Sequence, residues 1–165
     1  MIEVRHAAAD DADVLGQIHA AAWETAYAPF FEPKFAAGAI QDRRTRWHER
    51  VEDGAATILL AVLDGRPLAL PFFRPSSTRP PMAEIYSFYG HPDGWGSGGA
   101  AALMTQTLRC LREDGFARVH LWTLRDTTRS RRFYTKCSFT ETGAARALNF
   151  GDGNPLDQVE YERAC

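Results

Sequence analysis

The stretch from Trp95 to Ala100, WGSGGA, limits the fold more than any other part of the chain. It follows an apolar strand pattern, Met82 to Gly90, and runs directly into an amphipathic helix carrying Leu103, Met104, Cys110 and Leu111. Gly115 ends that helix. Helix N-termini carry unsatisfied N–H groups and partial positive charge, so they attract phosphate. Glycines at 96, 98 and 99 let the backbone take positive φ and approach an anion closely. The nucleotide signatures do not fit, because no Lys-Ser/Thr pair completes a P-loop and GWGSGG is not GxGxxG. On these residues alone an anion-binding turn and a tight structural corner stand level.

The remaining segments build a sheet around that passage. Ile2 and Val4 alternate with Glu3 and Arg5 in a short first strand. Asp10 or Asp11 can cap a helix with Leu15, Ile18 and Ala22 on one face. An aromatic cluster, Trp23, Tyr27, Phe30 and Phe31, runs into Pro33, and a second helix is expected around Ile40 to Val51 with Ile40, Trp47 and Val51 inward. Thr57–Leu63 is an apolar strand, and Asp64-Gly65 turns it into Pro67–Phe73. Pro71 would interrupt the ladder, so a bulge is expected there. RPSSTRPP, residues 74–81, reads as an exposed loop. Val119–Leu124 gives another strand, Ser130–Cys137 a short helix, and Ala145–Phe150 with Gln158–Glu162 a closing hairpin. The order β-α-α-β-β-β-α-β-α-β-β predicts one α+β domain over residues 1–165, not a repeating βαβ fold.

Composition narrows the function classes. Nineteen Lys and Arg against 21 Asp and Glu leave a net charge of −2, too small to draw nucleic acid or an anionic membrane. No apolar stretch reaches the roughly 20 residues of a membrane span, and acidic residues stand where a signal peptide would be apolar. Three cysteines, 110, 137 and 165, make no even framework and no CxxC pair, so reduced thiols in the cytoplasm are the simplest account. Cys110 falls among core positions of its helix. Histidines 6, 19, 48, 91 and 120 show no metal-ligand spacing, and a surface or satisfied-core role is expected for each.

Two motifs carry a resemblance. In HPDGWGSGGAAALM, Gly98 and Ala100 fit the pattern Q/R-x-x-G-x-G/A at a helix start, with Trp95 in place of Gln or Arg. In LWTLRDTTRSRRFYTKCSF, residues Arg131, Phe133, Tyr134 and Phe139 fit a strand followed by N-x-x-A-R-x-F-Y-x-x-x-G-F, with Thr127 for Asn and Ser138 for Gly. Together with HAAAWETAY near the start and DQVEYER at the end, the sequence resembles the bacterial GNAT superfamily of N-acetyltransferases over nearly its whole length. The resemblance implies a mixed, mostly antiparallel central sheet with helices on both faces, acetyl-CoA as co-substrate and no metal. It implies that the pantetheine arm lies between strands ending near Gly90 and Leu124, bonded to the backbone of Phe88 and Gly90. Trp95, Gly96, Ser97, Gly98, Gly99 and Ala100 would hold the pyrophosphate, with Thr127 and Ser130 completing the cofactor set.

The acceptor implied is an amine, on a small molecule or a peptide, and it must lose a proton before attacking a thioester. Glu84 stands where some members have their base; an ordinary strand-end glutamate is an equal reading. Tyr134 stands in the position of the acid that protonates the leaving thiolate, against the alternative of a core ring beside Phe133. Trp23, Tyr27, Phe31 and Tyr86 are candidates for the acceptor side, although such clusters are more often core. A non-catalytic acyl-CoA-binding module or a purely structural domain are the rival readings. Neither nucleic acid nor membrane is expected as partner, and a homodimer would be unsurprising.

Overall fold

The computed structural model describes residues 1–165. Hydrogen bonding orders seven strands as β1-β2-β3-β4-β5-β7-β6, the mixed, mostly antiparallel sheet of an α+β protein. The chain divides into two compact units, residues 1–74 with 87–107 and residues 75–86 with 108–165. Strand β4 (Ala83–Gly90) and helix α4 (Gly99–Glu113) each pass from one unit into the other.

The first unit opens with β1 (Ile2–His6), which pairs antiparallel with β2 (Thr57–Leu63), Ile2 facing Leu63 and His6 facing Leu59. Asp64 and Gly65 both take positive φ, 49° and 84°, the tight turn that leads β2 back into β3 (Arg66–Pro75). The β2–β3 register shifts between Ala61 and Val62, opposite Ala69 and Pro67. The irregularity therefore lies beside the hairpin and not at Pro71, which stays within β3. Helix α1 (Ala12–Ala26) buries Leu15, Ile18, Ala22 and Trp23 on one stripe. Asp11 sits at its N-cap, but its carboxylate serves Arg5 and the Ala8 N–H instead of the helix.

The expected second helix is two helices, α2 (Pro33–Thr45) and α3 (Trp47–Asp53). It begins seven positions earlier than expected because Pro33 at the first turn needs no N–H partner and its φ suits a helix start. Two apolar clusters fill this unit. One joins Leu15, Ile18, Trp47, Ile58, Leu60, Val62 and Leu70; the other gathers Trp23, Ala36 and Ala39 under Tyr27, Phe31 and Phe35.

In the second unit β4 pairs parallel with β5 (Arg118–Leu124), Glu84 facing His120. Beyond β5 lies β7 (Leu156–Ala164), antiparallel, and then β6 (Thr140–Leu148), which is exposed along its whole length. Strand β6 begins five residues before the expected Ala145 because a register shift at Gly143, φ 87°, absorbs an otherwise broken alternation. Helix α5 (Thr128–Lys136) supplies Tyr134, which packs edge-on against Phe133 and Phe139 and beside Tyr161. The 74–81 loop is only partly exposed, since Ser76 is buried.

Candidate functional site

In the first unit β4 ends at Gly90, and the chain crosses to α4 through residues 91–98. The His91 N–H donates to Leu68 O at 2.7 Å, which ties the start of the crossing to β3. Gly94 packs on Leu68, where a Cβ would come within 3.1 Å of the leucine side chain. Gly96 and Gly98 take φ of 76° and 87°, conformations that side-chain-bearing residues rarely adopt. The Ser97 hydroxyl donates to Gly94 O at 2.6 Å and accepts from the Gly99 N–H at 3.2 Å, so it caps the first turn of α4. Around Gly96 a Cβ would meet nothing within 4 Å. A turn with two left-handed glycines, an open flank and a helix start fits the diphosphate of CoA, which needs backbone N–H groups at close range.

Trp95 makes a contact within the chain at the end of β4. Its indole N–H donates to Gly90 O at 3.2 Å, so the Gly90 carbonyl already has a partner within the chain.

The second unit contains a buried polar cluster. Glu84 is 5% exposed and His120 fully buried. His120 Nε2 lies 2.7 Å from Ser76 Oγ and 3.3 Å from Glu84 Oε1, and its Nδ1 lies 2.9 Å from Glu160 Oε2. Glu160 also accepts from Arg79 and Thr142. Burial holds the His120 pKa below the ordinary imidazole value, against the pull of Glu160 in the other direction. Sequence reasoning found Glu84 and missed His120 and Glu160. The signal was present as a histidine and a glutamate inside apolar strands, RVHLWTL and QVEYE. A carboxylate and an imidazole in contact can pass a proton between them.

The other expected site residues fall as follows. Tyr134 is buried. Thr127, just before α5, is buried with its Oγ1 lacking a hydrogen-bond partner, while Ser130 is half-buried in the helix. Trp23, Tyr27 and Phe31 come together in the first unit, with the Trp23 and Phe31 rings stacked at 5.3 Å. Tyr86 belongs to the second unit, where its hydroxyl accepts from the Ser77 N–H at 3.4 Å. The structure joins Trp23, Tyr27 and Phe31 in one cluster of the first unit, and Tyr86 belongs to the second.

Comparison with known proteins bears on the fold and the family. The model of the Acetyltransferase (GNAT) family matches residues 16–139. An uncharacterized N-acetyltransferase of Mycobacterium bovis is 30% identical over 151 residues, covering 90% of this chain and 95% of its own. The PaiA N-acetyltransferase of Thermoplasma acidophilum, solved in complex with coenzyme A, has a TM-score of 0.79 at 16% identity, covering 100% of this chain and 99% of its own. YncA of Salmonella typhimurium, solved with its cofactor acetyl-CoA, has a TM-score of 0.72 at 17% identity, covering 99% and 94%. At these identities the structural likeness is one of fold.

Proposed function

The chain belongs to the Acetyltransferase (GNAT) family, and on that premise we propose that it transfers an acetyl group from acetyl-CoA to an amine by direct attack. The observation that carries the reading is the passage from β4 through Gly96 and Gly98 into α4. Bound there, acetyl-CoA supplies an activated thioester. The N–H groups of Gly96, Gly98 and Ala100 take the diphosphate, while those of Ser97 and Gly99 bond within the turn and the Ser97 cap keeps it in shape. The backbone of Phe88 and Gly90, at the end of β4, pairs with the pantetheine arm. Thr127, with its buried and unpaired hydroxyl, and Ser130 contribute from α5 and its cap.

Glu84 receives the proton of the acceptor amine, directly or through water, and His120 behind it at 3.3 Å spreads the gained charge into the Ser76–Glu160 network. Tyr134 donates to the departing sulfur; a phenol with an ordinary pKa near 10 can protonate a thiolate as it forms. Trp23, Tyr27 and Phe31 form the acceptor wall.

The test follows free thiol released from acetyl-CoA across an amine library. Tyr134→Phe keeps the ring packed against Phe139 and Tyr161 but removes the donor, so kcat should fall about ten- to a thousandfold with little change in KM for acetyl-CoA. Glu84→Gln should remove an ionisation from the pH–rate profile. Undiminished kcat in a folded Tyr134→Phe protein would return that ring to a packing role. CoA binding without thiol release from any amine would make the protein a binding module.

A further inference from the structure

Three arginines lie on one face of the α2–α3 stretch. Arg43, Arg46, Trp47 and Arg50 follow the spacing i, i+3, i+4, i+7, a stripe that in a packed helix is ordinarily apolar. Trp47 is fully buried. The Arg43 side chain is only 13% exposed, and its guanidinium lies over the Trp23 ring at 4.5 Å. Arg50 lies over Trp47 at 4.9 Å and over Phe72 at 5.0 Å. Only one carboxylate serves the stripe, Asp42, and Arg46 takes it in a close ion pair, with Arg43 left 3.9 Å away. Arg43 Nη1 settles for the carbonyl of Ala39.

The unsatisfied groups on this stripe are all donors. Arg43 Nε, Arg50 Nη1 and Trp23 Nε1 are buried and find no hydrogen-bond partner in the chain, and neither does His19 Nε2. An indole N–H can only donate. The Trp47 indole donates to His19 Nδ1 at 3.1 Å, so the neutral ring must carry its own proton on Nε2. His19 is 1% exposed and stacks at 4.1 Å on Tyr89, the residue immediately before Gly90 at the end of β4. Burial, and after it the charges of Arg43, Arg46 and Arg50, hold the His19 pKa down to about 2, so the ring stays neutral. Four buried donors, two of them on cations without a matching acid, are costly to keep unless something supplies acceptor oxygens.

We propose that this cluster binds a carboxylate carried by the amine acceptor, so that the substrates are amines with a second, anionic end: free amino acids. This rests on the acetyltransferase reading and names its acceptor class. Arg43 and Arg50 clamp the carboxylate, His19 Nε2 and Trp23 Nε1 complete its hydrogen bonds, and the rings of Trp23, Trp47 and Phe72 keep water away from it. Tyr89, stacked on His19, ties this cluster to the end of β4.

Wild-type binding tests the idea without turnover. A panel of N-acetyl amino acids and the corresponding C-terminal amides is titrated while the intrinsic tryptophan fluorescence is followed. Acids should bind at least tenfold more tightly than amides, and Arg43→Gln or Arg50→Gln should each erase that preference while CoA still binds. Equal affinity for acids and amides, or no binding of any acid, overturns the proposal whether or not the variants fold. The two readings separate cleanly. Acid-selective binding with no thiol release from any amine sinks acetyl transfer and keeps the anion site. Turnover of decarboxylated amines as efficient as that of the parent amino acids keeps acetyl transfer and sinks the anion site.

Discussion

His19 shows how one side chain links burial to pH. Its pKa of about 2 in the folded protein lies far below the ordinary 6.5. Between those values the unfolded chain takes up a proton that the folded chain refuses, so the associated stability is present above pH 6.5 and lost on acidification. The slope is about 1.4 kcal/mol per pH unit, or about 2 kcal/mol between pH 7 and 5. His120, also lowered by burial, acts in the same direction. Asp11 and Asp42, lowered chiefly by bonds to Arg5 and Arg46, add their loss only below the carboxylate range near pH 4. Denaturant unfolding should therefore show stability falling as the pH is lowered from 7 to 5, with a slope that His19→Gln makes shallower. A His19→Gln protein with an unchanged slope would mean that another group titrates in that window.

At the scale of elements, two glycines in helices predict opposite outcomes for the same substitution. Gly16 of α1 lies where α2 crosses it, and a Cβ there would sit 1.9 Å from the Arg44 carbonyl oxygen. Gly16→Ala must push the helices apart, at a cost of about 1–3 kcal/mol or more. Gly38 of α2 is exposed, and a Cβ there would meet nothing within 4 Å. Gly38→Ala should stabilise by about 0.5–1 kcal/mol through helix propensity alone. Thermal unfolding of both variants decides the point; equal effects would show that α1 and α2 adjust freely. The same crossing carries Arg43 and Arg46 close to His19, so the Gly16 variant also tests how rigidly the donor cluster is held.

For the molecule as a whole, cofactor binding should appear as added stability. CoA at a hundredfold excess over its Kd adds about 2.7 kcal/mol, which for a chain of this size raises Tm by about 5–10 °C. Gly98→Ala strains a residue at φ 87° and should lower Tm yet keep most of the CoA shift, because its Cβ meets only Ile2 Cδ1 at 3.6 Å. Gly98→Glu adds a negative charge at the same point and should abolish the shift. A full CoA shift in Gly98→Glu would place the diphosphate elsewhere. No helix is long and apolar enough to cross a membrane.

Periodicity and turn residues were enough to read most of the strands, the hairpin at Asp64-Gly65 and helices α1 and α4, while the family was read from a resemblance in two motifs. These features depend on neighbours within a few positions, where alternation, capping and positive φ act directly. The glycine turn was legible for the same reason, whereas Glu84 and Tyr134 were singled out only through the family resemblance. The partners of those residues were not legible. His120 meets Glu84 and Glu160 because β4, β5 and β7 lie side by side, and Ser76 because the loop after β3 folds onto them. Sequence cannot say which polar residue in an apolar strand will find company. Nor could it separate the arginines of α2 and α3 from an ordinary solvated face. Their spacing was in the sequence from the start, but whether a charged side chain faces water or a tryptophan depends on which side of the helix the core occupies, and packing decides that.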